Sequence, residues 1–105
     1  MGLTGYRLAV VMDEDDFVFL IERSVKVAKR EMGIDRIDSS NIDEFIDSVA
    51  EVVFEEIQKD HASAIVIKGR AKGECYFISN KEQLIDFIKE LGVFEEIGLR
   101  IEGRS

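Results

Sequence analysis

The stretch Ala62–Ile78 constrains this chain more than any other. Two runs rich in β-branched and aromatic residues, Ala64-Ile65-Val66-Ile67 and Cys75-Tyr76-Phe77-Ile78, flank the short loop Lys68-Gly69-Arg70-Ala71-Lys72-Gly73-Glu74. Two such runs around a glycine-containing connection are the sequence form of a β-hairpin. A hairpin in mid-chain needs further elements on both sides to bury its apolar face, so the flanking periodicities decide the fold class.

Before the hairpin, Tyr6–Met12 alternates as a strand, with Leu8, Val10 and Met12 on one face. The acids Asp13, Glu14, Asp15 and Asp16 end it. Apolar residues then recur at Phe17, Leu20, Ile21, Val25, Ala28 and Met32, the spacing of a helix over Glu14–Met32. Acids in its first turn and Lys26, Lys29 and Arg30 near its end complement the macrodipole, and Gly33 supplies the stop. A rival reading makes Phe17–Ile21 a second strand, since short apolar runs are ambiguous by periodicity. Asp35–Asp38 reads as a linker. Ser39, Ser40 and Asn41 offer three candidate caps, Asn41 standing three residues before Glu44, for a second helix running to about Lys59 with an apolar stripe from Ile42 to Ile57.

After the hairpin, Ser79 or Asn80 caps a third helix that ends at Leu91 before Gly92, and Ile97–Glu102 closes the chain as a strand. The order β-α-α-β-β-α-β predicts an α+β two-layer sandwich: three helices on a four-stranded, mainly antiparallel sheet, a variant of the ferredoxin-like split β-α-β pattern. That pattern centres the first and third strands and leaves Ala64–Ile67 and the last strand as edges. An apolar edge without a charge or proline before Lys68 is a pairing hazard, so either the extra helix covers it or a second chain pairs with it. Ile65→Lys is then expected to split a dimer.

With 105 residues, 46% of them hydrophobic, the chain fits one domain over residues 1–105, with Met1–Thr4 and Gly103–Ser105 expected to fray. No apolar run approaches the roughly 20 residues that cross a bilayer, and no basic-then-apolar leader opens the sequence. One cysteine cannot staple the fold, which points to a reducing, cytoplasmic setting. A net charge of −8 repels phosphate backbones and argues against nucleic-acid binding. Abundant Glu and Ile with few Asn, Gln and Thr lean towards a thermophilic source, while the absence of proline leans away from one.

Candidate sites are few. Lys68, Gly69, Arg70, Lys72 and Gly73 form the one locally basic patch, a loop whose cations and backbone N–H groups could hold an anion or an acidic partner, although it lacks the spacing of a P-loop. A solvated hairpin tip is the simpler account. Asp13, Asp15 and Asp16 could ligate a hard cation, but consecutive acids in one turn diverge, and capping with dipole compensation explains them. His61 beside Asp60 reads as a helix-end cation, and Cys75, without a basic neighbour, as a buried structural thiol. One His and one Cys are too few for the usual zinc sites.

No cofactor is implied. Three functions follow in order of support. The first is a non-enzymatic interaction module that forms a homo-oligomer or binds a protein partner, motivated by the apolar edge and by apolar helix residues in excess of a core, such as Val18, Phe19 and Val52. The second is a regulatory domain binding a small molecule or anion. The third is a metal-dependent enzyme using the turn at Asp13–Asp16.

Overall fold

The computed structural model describes residues 8–102 and is α+β, with four helices and two small sheets. The elements are β1 (Ala9–Asp13), α1 (Glu14–Met32), β2 (Ile37–Asp38), α2 (Ile42–Gln58), β3 (Ala64–Lys68), β4 (Cys75–Ile78), α3 (Lys81–Leu91), α4 (Val93–Glu96) and β5 (Ile101–Glu102). The expected fraying of Met1–Thr4 and Gly103–Ser105, and the strand positions Tyr6 and Arg7, lie outside the described residues.

Phe17–Ile21 belongs to α1 and not to a strand. Asp13 is the N-cap, its Oδ1 accepting from the Asp16 N–H at 2.8 Å, and Gly33 closes the helix in the left-handed conformation at φ 66°. Phe17, Leu20 and Ile21 are buried while Phe19 and Glu22 are exposed, the i, i+3, i+4 spacing of one helix face. α2 starts one residue after Asn41, as expected, but the Asn41 side chain makes no cap. Its Oδ1 accepts from the Asp38 N–H and its Nδ2 donates to the Arg36 carbonyl, so it braces the preceding corner instead. α3 carries the cap read from the sequence: Asn80 Oδ1 accepts from the Gln83 N–H, while Gln83 reaches back to the Ser79 N–H.

The sheet departs from the expected one. The main sheet has three strands in the order β1-β3-β4, with β1 parallel to β3 and β3 antiparallel to β4. The run Ala64–Ile67 is therefore the central strand and not an edge. Its apolar character follows from burial between two neighbours, with Ile65 and Ile67 fully buried against the helices. The expected fourth strand, Ile97–Glu102, is shortened from its N-terminal side. Val93 and Phe94 are drawn into the core, Phe94 packing on Phe45 with ring centroids 5.7 Å apart, so residues 93–96 coil into α4. Gly98 turns the chain at φ 76°, and the two residues left in β5 pair in parallel with β2, inside the segment that reads as a linker. This separate ribbon replaces the fourth strand of the expected sheet.

One core joins all the helices to one face of the main sheet. Phe17, Ile21 and Val25 of α1, Phe45, Val49 and Val53 of α2, Leu84 and Ile88 of α3, and Ile65, Ile67 and Ile78 of the sheet share it. Phe87 stacks edge-on against Phe17 at 5.3 Å and tilts against Tyr76 at 5.0 Å, so α3 covers the β4 side of that face. Val52, counted among the surplus apolar residues, is buried at 8% exposure, and Val18 packs against the core; Phe19 is 63% exposed.

Candidate functional site

Parallel pairing of β1 with β3 sets Asp13 opposite Lys68, so the acidic turn and the hairpin loop leave the sheet at the same end. Arg70 joins them. Its Nε lies 3.2 Å from Glu14 Oε2, and its Nη2 lies 3.0 Å from Asp15 Oδ1 and 2.7 Å from Glu96 Oε2. One guanidinium thus ties the loop to the start of α1 and to α4, and the hydrogen bonds it donates to Glu96 and Asp15 hold it even more firmly protonated than an ordinary arginine. Glu14 is the buried member of the group, at 6% exposure. Three carboxylates around one cation leave this end of the sheet acidic. Arg70 is accordingly occupied by the chain's own acids.

The rest of the loop is also closed on itself. The Gly69 N–H donates to the Glu74 carbonyl, the Ala71 N–H to Glu74 Oε1, and the Glu74 N–H to the Ala71 carbonyl. Gly73 occupies the left-handed region at φ 88°. Gly69 is required for a different reason, because a Cβ there would stand 2.6 Å from Glu74 Cβ and 3.1 Å from Tyr76 Cε2. Lys68 and Lys72 are exposed and enter no ion pair among the described residues. Tyr76, beneath the loop, has its hydroxyl pushed above the usual range by burial and by the neighbouring Glu74 and Glu14 charges.

Of the acids proposed for a metal, Asp13 caps α1, Asp15 binds Arg70, and Asp16 is exposed one turn along. Among the described residues, no three Asp, Glu, His or Cys side chains are grouped as a metal ion needs. His61 is exposed in the turn after α2 with a positive φ of 62°, its N–H bonded to the Gln58 carbonyl, and it makes no ion pair with Asp60 among the described residues. Cys75 is exposed, correcting the expectation of a buried thiol: it lies on the sheet face turned away from the helices.

The first strand, expected at the centre of the sheet, is an edge of it, and the outer face of the sheet is exposed. Val11, Val66 and Phe77 stand in one row across the three strands, with Val11 58% and Phe77 60% exposed. On the helix side, Val10 and Met12 of β1 are only half-buried, whereas Ile65, Ile67 and Ile78 on the other two strands are buried. Beyond β1 lies a groove of about 290 Å³ whose walls include Val10, Met12, Asp16, Phe19, Leu20 and Arg23. The signal for it was present in the sequence: Val10-Val11-Met12 is as apolar and as free of charge or proline as the run at Ala64–Ile67.

Against known protein families, curated proteins and solved structures, the chain finds no match in any of the three comparisons.

Proposed function

We propose that this chain is a small non-enzymatic interaction module that acts by self-association, and that β1 is the strand through which it does so. One observation supports this above the others: among the described residues β1 has a single neighbour in the sheet, bears no charge before Asp13, and carries Val10 and Met12, which the chain's own helices cover only in part, beside the exposed Phe19. A bare apolar edge next to incompletely covered core residues is the standard acceptor for another strand. β4, the opposite edge, is a poorer acceptor, because Ile78 is buried and Phe87 of α3 already packs on Tyr76.

The anion-binding alternative rests on Lys68 and Lys72 alone, since Arg70 is held by Glu96, Asp15 and Glu14. The metal-dependent alternative has no supporting group of ligands among the described residues. Val11 is exposed enough that Val11→Lys should leave the fold intact. Sedimentation velocity should show this variant shifted towards monomer relative to wild type, with Phe77→Lys on the opposite edge much less affected. Equal sensitivity of the two variants would remove β1 from the reading.

A further inference from the structure

The β1 edge and the α1 stripe beside it have a pattern that matches its own reverse. The Leu8 carbonyl accepts from the Ser63 N–H at 2.9 Å, so Leu8, Val10 and Met12 point their backbone groups towards β3. By the alternation of a strand, the N–H and C=O groups of Ala9, Val11 and Asp13 point the other way, out of the sheet. Along the groove, Asp16, Phe19, Leu20 and Arg23 of α1 follow the i, i+3, i+4, i+7 spacing of one helix face. An acid stands at one end of this stripe, a base at the other, and two large apolar residues between them. Asp16 and Arg23 enter no ion pair among the described residues, and Arg23 is the one base in a groove also lined by the acids Glu56 and Asp60.

Resting on the reading of the chain as a self-associating module, we infer that two copies join about a twofold axis, β1 antiparallel to β1 of the second copy, with Asp16 of each copy facing Arg23 of the other. The axis passes through Val11, whose N–H and C=O exchange both hydrogen bonds with the second copy's Val11, while Val10 faces Met12 across the seam on the helix side. The same axis fits α1. From Val11 to the start of α1 the chain advances about 7–10 Å at strand rise, and α1 returns about 8 Å by the point between Phe19 and Leu20 at helix rise. The middle of the α1 stripe therefore lies over the middle of the β1 edge, as the shared groove lining requires. A twofold contact is self-complementary only if each feature meets its own partner on the other copy. Antiparallel pairing sets acid against base at both ends, whereas a parallel arrangement sets like charges together. The product is a continuous six-stranded sheet in which the half-buried Val10 and Met12 and the exposed Phe19 gain further cover.

The test uses the full chain. Asp16→Lys and Arg23→Glu should each weaken the dimer about tenfold, since either change reverses one charge in both symmetry-related pairs, and the double variant should return to within about threefold of wild type. The N-cap is Asp13, so neither change removes it, and circular-dichroism melts check that each variant folds. Independently of any variant, the Val11 amide should exchange slowly at concentrations where dimer forms and rapidly under dilution, because its N–H has no acceptor within the β1-β3 pair. A wild-type dimer whose affinity ignores both single changes, or whose Val11 amide stays unprotected, overturns this geometry and leaves self-association standing. Weakening by the single variants without recovery in the double overturns the pairing of Asp16 with Arg23. A protein that stays monomeric to about millimolar concentration overturns both this inference and the function it rests on.

Discussion

Replacing Gly69 by alanine tests the closed hairpin loop at its tightest point. Gly69 is not among the glycines with positive φ, so its backbone is one that alanine could adopt. Were there room, the substitution would stabilise the protein by about 0.4–1 kcal/mol through loss of unfolded-state freedom. There is none: the new Cβ would lie 2.6 Å from Glu74 Cβ, an atom fixed to the backbone, and also 2.6 Å from Glu74 Oε1, which can swing away. Forcing a methyl group into such a contact costs about 1–3 kcal/mol. The backbone at Glu74, just before β4, must therefore move, and the net expectation is a loss of about 1–2 kcal/mol, or roughly 4–15 °C in Tm for a domain of this size. Thermal and urea melts of wild type, Gly69→Ala, Glu74→Gly and the double variant provide the cycle. Because Glu74→Gly removes both clashing atoms, the double variant should be less destabilised than the sum of the singles. Gly73→Ala should cost about 1 kcal/mol through its φ of 88°, with no coupling to Glu74. A Tm for Gly69→Ala equal to or above that of wild type would refute the close approach of the two loop arms.

Other consequences are separately measurable. Ile65→Ala should cost about 2–5 kcal/mol in urea melts, and Ile65→Lys should not fold, because the residue is fully buried in the central strand; a folded, merely monomeric Ile65→Lys would restore the edge-strand reading. Asp13→Ala should lose about 1 kcal/mol as a missing N-cap, while Asp13→Asn should stay within a few tenths and millimolar magnesium should leave Tm unchanged; a cation-dependent rise in Tm lost in Asp13→Asn would favour a metal site instead. Asp38 is held below its ordinary carboxylate range by hydrogen bonds from the Ser40 hydroxyl and N–H. Its stabilising contribution is complete above the unfolded-state value near 4 and disappears as pH falls through the lower folded value, so Asp38→Asn should flatten the acid limb of the stability profile. An unchanged acid limb in that variant would show that the corner does not depend on the charge.

The helices were readable because their signals are local. Asp13 and Gly33 mark the ends of α1, Asn80 and Gly92 those of α3, and the periodic burial of Phe17, Leu20, Ile21, Val25 and Ala28 needs no knowledge of the rest of the chain. Strand order is not local. Choosing β1 as the partner of β3 depends on how α1 and α2 fill the crossover between them, and the apolar run Ala64–Ile67 looks the same in sequence whether it is central or at an edge. The fate of residues 93–102 turned on Phe94 finding Phe45 in the core, a contact between positions far apart in sequence. The loop shows the same division. Its glycines and cations stand out, but the carboxylates that occupy Arg70 come from α1 and α4, and only the fold brings them together. The apolar edge of the sheet belongs to β1, and the run Ala64–Ile67 that the pattern places at an edge is central.

The solution mass measured by light scattering across a dilution series tests self-association most directly. The prediction is a species of twice the 11.9 kDa chain mass at high micromolar concentration, falling towards the chain mass on dilution, with the transition moved to higher concentration in Val11→Lys. A constant 11.9 kDa from micromolar to millimolar concentration would contradict it.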